Sequence, residues 1–285
     1  MPTIILTHRA LEPSKKDFYP ESSLEAFQDQ INRGFGLEFD PNFCKDGIVI
    51  SHDATLQRIT EGKDSRAFAD VSVKELINIT YGQKSGHIPT FDEVLSLIKN
   101  SPASIHAMHL KGKYQTQVHL DLLVQYLKHY QDILHKIIIF DIKPETARYL
   151  KARFPRIQLA PSVAHEYDIK RYNSVVANTL FSISETLEYK KQGLYDWVWL
   201  DEWDTANESG KKLFYTKETF ETLKQAGYKI ALVTPELHGT SPGLYGGESH
   251  EHAGTQELLF QRIKEILSLN PDAVCTDWPE ECKTL

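Results

Sequence analysis

Residues 137–161, IIIFDIKPETARYLKARFPRIQLAP, hold a complete strand–helix–strand unit. The strand predicted at Ile137–Ile142 opens with an unbroken apolar run, Ile137–Phe140, rather than an alternating one, which suits a parallel sheet buried on both faces. Pro144–Phe154 has helical periodicity, and Gln158–Pro161 begins the next strand. The same alternation runs along the chain. Further strands are predicted at Thr3–Thr7, Leu37–Phe39, Ile105–Leu110, Trp197–Leu200, Ile230–Val233 and Ala273–Cys275. Helices are predicted at Ser22–Arg33, Thr90–Lys99, Val118–Tyr130, Ile183–Gly193, Lys217–Gly227 and Thr255–Leu269. Eight strands alternating with helices in 285 residues predict an α/β fold of the (β/α)8 TIM-barrel type, in one domain over residues 1–285. A doubly wound open sheet is the alternative, but no GxGxxG motif follows any strand. Two segments break the repeat. Residues 41–89 read as a small insertion after strand two, with a strand-like piece at Ile48–His52 and a short helix. Glu236–Thr255 is Gly-rich and aperiodic, the mark of a functional or mobile loop.

Composition narrows the class. Hydrophobic residues make up 41%, enough for a large core, and the formal net charge is −7 with Lys and Arg scattered. That argues against nucleic acid or an anionic membrane surface as the main partner, though not against a small anionic substrate. Cys44, Cys275 and Cys282 have neither zinc-motif nor redox-motif spacing, so free thiols in a reducing compartment are expected. The start MPTIILTHRA lacks the pattern of a signal peptide, and no apolar run approaches the ~20 residues of a membrane span, so a cytoplasmic location is expected. No feature specifies an oligomeric state.

In such a barrel, chemistry gathers where strands end. Strand one ends in His8-Arg9, strand two carries Glu38 and Asp40, and the strand-like piece of the insertion ends in His52-Asp53. Strand three carries His109 and Lys111, strand four Asp141 and Lys143, strand six Asp201-Glu202-Trp203-Asp204, and strand eight Asp277. Glu38 and Asp40, two apart on a strand, face one side and form a hard oxygen site suited to Mg²⁺ or Ca²⁺. His8 beside Arg9 joins a group that titrates near neutrality to a cation that forks onto phosphate oxygens. His52-Asp53 is a second acid–base candidate. Judged alone, each of these is as readily a core histidine, a turn or a polar strand edge. Their order and spacing give them weight.

That order resembles the glycerophosphodiester phosphodiesterase family. The resemblance rests on His8-Arg9, Pro20-Glu21-Ser22-Ser23, Ala26-Phe27, Gly34, Glu38-Phe39-Asp40, Lys45-Asp46-Gly47, His52-Asp53, Leu56 and Arg58-Ile59-Thr60. It continues in Ile88-Pro89-Thr90-Phe91-Asp92-Glu93-Val94 and, near the end of the chain, in Thr276-Asp277-Trp278-Pro279. The resemblance implies a phosphoric diester hydrolase that converts a small glycerophosphodiester to glycerol 3-phosphate and an alcohol, in lipid and glycerol metabolism. It implies His8 and His52 as the acid–base pair, Arg9 and Lys111 as phosphate holders, and Glu38 and Asp40 as ligands of a divalent metal. The attacking oxygen is either water or a hydroxyl of the substrate, the latter giving a cyclic phosphate first. Related readings are a barrel phosphodiesterase or lyase acting on a lipid or a sugar-linked glycerol phosphate, or a degenerate barrel that only binds phosphodiesters.

Three positions depart from the family pattern. Ala10 replaces a glycine, Ser22 replaces an asparagine at what reads as the N-cap region of the first helix, and His109 stands where a third acidic ligand is usual. With His109, either Mg²⁺ or Ca²⁺ is held more weakly, or the ion is a borderline one such as Mn²⁺ or Zn²⁺, or Asp141 substitutes, or His109 contacts substrate instead. Trp203, with Trp199, Asp201, Glu202 and Asp204, is the candidate wall for the leaving alcohol, holding a choline-like cation or a sugar, or simply forming a solvated acidic loop. His250, Glu251 and His252 are either reachable by a metal or part of a mobile polar loop.

Overall fold

The computed structural model describes residues 2–82, 85–207, 210–237 and 250–285. In chain order its strands are β1 (Ile4–His8), β2 (Gly36–Phe39), β3 (Pro41–Phe43), β4 (Ile48–Ile50), β5 (His106–His109), β6 (Ile137–Phe140), β7 (Gln158–Leu159), β8 (Ser162–Ala164), β9 (Leu180–Phe181), β10 (Trp197–Asp201), β11 (Ala206–Asn207), β12 (Gly210–Lys211), β13 (Lys229–Val233) and β14 (Ala273–Thr276). Ten of them form one sheet in the order β7-β6-β5-β2-β1-β14-β13-β10-β8-β9, with every pairing parallel. Strands β7 and β8 are two halves of a single stretch, interrupted at Ala160-Pro161, where proline has no N–H to give the ladder. Leu159 carbonyl accepts from Asp196 N–H, and Pro161 carbonyl from Trp199 N–H, while Ala160 N–H donates to Ile139. Residues 158–164 therefore join β6 on one side and β10 on the other. This closes the eight-stave (β/α)8 barrel, and β9 is an extra strand laid beside β8.

The unbroken apolar runs follow from this closure. Ile230 and Leu232 of β13 pack outward against the helices, while Ala231 and Val233 pack inward with Leu6, Ala107 and Trp199. Both faces are buried, so no polar alternation appears. The helix Glu166–Tyr172 and strand β9 were not predicted, because each is too short to show a period. The first helix runs over Leu24–Asn32 and its N-cap is Ser23, whose side chain accepts from Ala26 N–H. Ser22 is not the cap. It sits at φ +56, a left-handed conformation that asparagine tolerates better than serine.

Between β2 and the helix Phe91–Asn100, strands β3 and β4 form an antiparallel hairpin followed by a short helix, Val73–Leu76. A small cluster of its own, including Val49, Leu56, Phe68 and Ile88, holds this segment down. The hairpin delivers His52 and Asp53 beside the ends of the barrel strands. Residues 238–249 of the expected Gly-rich loop lie outside the described residues. Among the described residues no helix is long and apolar enough to cross a membrane.

Candidate active site

A cavity of about 580 Å³ opens at the C-terminal ends of the strands, and His8, Arg9, Glu38, Asp40, His52, His109, Lys111 and Trp203 all line it. The chain turns sharply after β1, with Arg9 at φ +52 and Ala10 at φ +55. Left-handed backbone costs roughly 1–2 kcal/mol per non-glycine residue, and at Ala10 the usual glycine would avoid that cost. The turn folds the buried Arg9 side chain back so that its Nε donates to His8 Nε2 at 2.9 Å and its guanidinium meets Glu21 at 3.3 Å.

The two imidazoles are anchored alike. His8 Nδ1 lies 2.8 Å from Asp277, and His52 Nδ1 lies 3.0 Å from Asp53. Because His8 Nε2 accepts from Arg9, the proton of the neutral ring is on Nδ1 and faces Asp277. Burial, reinforced by the Arg9 charge, holds His8 well below its ordinary range, and burial also lowers His52. Asp53 is itself fixed: Arg58 Nε donates to it at 2.5 Å, and Arg58 also reaches Glu21 at 2.5 Å. A chain of polar contacts thus runs Arg9–Glu21–Arg58–Asp53–His52. Behind Asp277 lies the buried Glu236, which accepts from the Asp277 N–H and from the Thr234 and Thr276 hydroxyls. Burial pushes both acids up to about 7.

Glu38 and Asp40 are both buried on the floor. Burial and the neighbouring Asp40 push Glu38 up to about 8, whereas Lys111, 3.2 Å from Asp40, and His109 keep Asp40 low against the opposing effect of burial. Lys111 Nζ also donates to His52 carbonyl at 2.5 Å. His109 is held on both edges, Nδ1 at 3.1 Å from Asp40 and Nε2 at 3.4 Å from Asp141, and its ring stacks on Phe140 at 4.7 Å. Although burial opposes it, the two carboxylates raise His109 to about 9. Glu38, Asp40 and His109 can each offer one ligand atom, and these atoms lie within 4.8 Å of one another. With His109 giving up one ring proton to the ion, two carboxylate oxygens and an imidazole nitrogen backed by a second carboxylate are a familiar donor set for a divalent ion, so the residues fit one. Asp141 is outside that group and stands behind His109.

Of the acidic run at the end of β10, only Asp201 joins Trp199 and Trp203 in the cavity wall. Glu202 turns away, accepting from Phe214 N–H, Tyr215 N–H and Arg262. Asp204 pairs with Arg171 at 2.8 Å and with the buried Lys212. His250, Glu251 and His252 form a second compact group, but they do not line the cavity. Sequence reasoning gave no task to Asp277, Glu21 or Arg58, although all three lie in quoted motifs. Asp277 meets His8 across 269 positions and Arg58 meets Glu21 across 37, and nothing in the spacing reveals those contacts.

The sequence model of the Glycerophosphoryl diester phosphodiesterase family matches residues 8–281. The chain belongs to that family. Members of the family are phosphodiesterases, so the protein is a phosphoric diester hydrolase. No curated protein matches the chain. Solved structures share its fold. A protein from Galdieria sulphuraria assigned as a glycerophosphodiester phosphodiesterase is 19% identical, with a TM-score of 0.69, covering 100% of this chain and 97% of that one. A glycerophosphoryl diester phosphodiesterase from Parabacteroides distasonis is 17% identical, with a TM-score of 0.66 and coverage of 99% and 85%. A phosphodiesterase from Oleispira antarctica, solved with its product sn-glycerol-3-phosphate, is 18% identical, with a TM-score of 0.64 and coverage of 99% and 96%.

Proposed function

We propose that the protein hydrolyses a glycerophosphodiester to glycerol 3-phosphate and an alcohol, with His8 and His52 as the acid–base pair and a divalent ion on Glu38, Asp40 and His109. The observation that carries this reading is the matched anchoring of the two imidazoles: each has Nδ1 on a carboxylate, and both line one cavity with Arg9 and Lys111. Arg9 and Lys111 meet the non-bridging oxygens of the diester. His8, kept neutral by burial and the Arg9 charge, is shaped as the base. Once Arg9 turns its guanidinium from His8 to the phosphate, the freed Nε2 takes a proton from water as the water oxygen bonds to phosphorus. Burial disfavours the charged ring of His52 while Asp40 and Asp53 favour it, and the His52 molecules that carry the second proton give it from Nε2 to the departing alcohol oxygen as the second P–O bond breaks. Such acid–base steps contribute roughly 10²–10⁴ in rate each. A bound divalent ion supplies Lewis-acid polarisation of a phosphoryl oxygen.

The donor set of Glu38, Asp40 and His109 favours Mn²⁺ or Zn²⁺ over the harder Mg²⁺ and Ca²⁺, and Asp141, 3.4 Å from His109 Nε2, would orient the neutral ring as a ligand. Three unpaired cysteines suit a reducing compartment such as the cytoplasm. The test is turnover of glycerophosphocholine by chelated protein after each of the four ions is returned singly. Free glycerol 3-phosphate, formed best with Mn²⁺ or Zn²⁺, is expected. A cyclic phosphate as final product would replace hydrolysis with a lyase reaction. No turnover with any ion would reduce the barrel to a binding protein.

A further inference from the structure

Among the described residues, two groups of side chains place three potential ligand atoms within 4.8 Å of one another. One is Glu38, Asp40 and His109. The other is His250, Glu251 and His252, and none of these three lines the cavity. We propose that His250, Glu251 and His252 form a separate site for a divalent ion of the zinc type, which fixes the turn leading into the helix Gln256–Ser268 against the end of β10. Two imidazole nitrogens and one carboxylate oxygen, with water in the fourth position, suit Zn²⁺, whereas Mg²⁺ and Ca²⁺ prefer oxygen throughout.

Three consecutive residues seldom aim at one point, because neighbours on a strand face opposite ways and neighbours on a helix diverge. A short turn does it here. His250 caps the single turn Glu251–Ala253, its Nδ1 accepting from His252 N–H at 3.2 Å, and the two rings lie 5.2 Å apart. His250 Nδ1 stands 3.9 Å from Glu251 Oε2. Donors around a tetrahedral ion with bonds of ~2.0–2.1 Å are ~3.3 Å apart, so small side-chain rotations close the set, at the cost of the long hydrogen bond to His250 Nδ1. His252 Nδ1 is shielded from solvent and makes no hydrogen bond among the described residues. A buried nitrogen without a partner is uncommon, and an ion held between the rings would give it one.

The surrounding contacts suit a metal-bound histidine. His250 Nε2 lies 3.8 Å from Glu202 Oε1. Although burial opposes it, His250 and Arg262 hold Glu202 down at about 2, so a permanent carboxylate stands behind the ring and turns Nδ1 toward the ion. The Arg262 charge is itself met by Glu202 and Glu265. Glu251 Oε2 accepts Thr205 N–H at 3.2 Å and keeps lone pairs for a cation. The Glu251 side chain is 47% exposed, which gives the ion a path from solvent.

The test is a zinc titration of the full chain in competition with a chromophoric chelator, for the unmodified protein, His252→Ala and Glu251→Gln. The first variant should take up one zinc fewer than the unmodified protein. The second keeps an acceptor for Thr205 and so folds even where His252→Ala does not. It should bind that zinc at least about tenfold more weakly, the lower end of the cost of disturbing even a ligand's supporting contact. The same differences should persist on a His109→Ala background, which removes the imidazole of the cavity group. Folded variants that match the unmodified protein overturn the inference, as does uptake by the unmodified protein at millimolar zinc alone.

Discussion

Asp277→Asn separates what this carboxylate does for the reaction from what it does for the fold. Asp277 is buried, and its Oδ1 lies 2.8 Å from His8 Nδ1. If His8 gains a proton during turnover, the bond to Asp277 becomes one between charged groups. Such a bond is worth about 1.5–3 kcal/mol, or roughly ten- to 150-fold in kcat. Stability should move the other way. Burial raises the Asp277 carboxyl from 3.8 to about 7. For a carboxyl raised in the folded state, the folded protein is favoured at low pH, and that advantage is lost as pH rises from 3.8 through 7. At about pH 8 the ionised, buried Asp277 opposes folding by up to about 4 kcal/mol on the scale of 1.36 kcal/mol per pKa unit. Asparagine has nearly the same shape and does not ionise. The variant should therefore lose kcat with little change in KM, while its urea midpoint at about pH 8 is unchanged or higher. Steady-state kinetics of glycerol 3-phosphate release, paired with urea melts, provide both readouts. A stable variant with undiminished kcat would refute the role given to the His8–Asp277 contact.

Arg58→Ala should cost at most about 1 kcal/mol of stability, because Arg58 is 53% exposed. Its loss frees Asp53 to turn, so kcat should drop about two- to twelvefold, the equivalent of one ordinary hydrogen bond. Gly112→Ala should slow turnover and, since its Cβ overpacks the turn at Ala177, lower the unfolding free energy by about 1–3 kcal/mol, read as a lower urea midpoint. His106 is buried, accepts Leu37 N–H at 3.1 Å, and is pushed down to about 3 by burial and then by Lys136. Its folded pKa lies below the ordinary 6.5, so its contribution is intact above 6.5 and is lost as pH falls toward 3. The unfolding free energy of the unmodified protein relative to His106→Gln should fall by up to about 1.4 kcal/mol per pH unit across that window. A difference that does not vary with pH would show that His106 does not titrate there.

The barrel was legible because its strands are buried on both faces, so Ile137–Phe140 and Trp197–Leu200 read as solid apolar runs. What escaped was short or conformational. Leu180–Phe181 is too brief to carry a period, and the cap of the first helix lies at Ser23 because Ser22 is committed to a left-handed turn. The residues expected at the site meet in one cavity because strand ends converge in a barrel whatever their separation in sequence. The supporting contacts were not legible. Asp277 meets His8 across 269 positions of chain, and Arg58 reaches Glu21 across 37. The acidic run after Leu200 read as one surface, yet Asp201, Glu202 and Asp204 point to three different environments, which only packing decides.

The most direct test is phosphorus NMR of glycerophosphocholine incubated with metal-loaded protein and with folded His8→Ala and His52→Ala variants. The diester resonance should convert to that of glycerol 3-phosphate with the unmodified protein, and stay unchanged with either variant, each of which keeps its circular dichroism spectrum. Turnover near the unmodified rate in either variant would remove that histidine from the chemistry and contradict the two-histidine account.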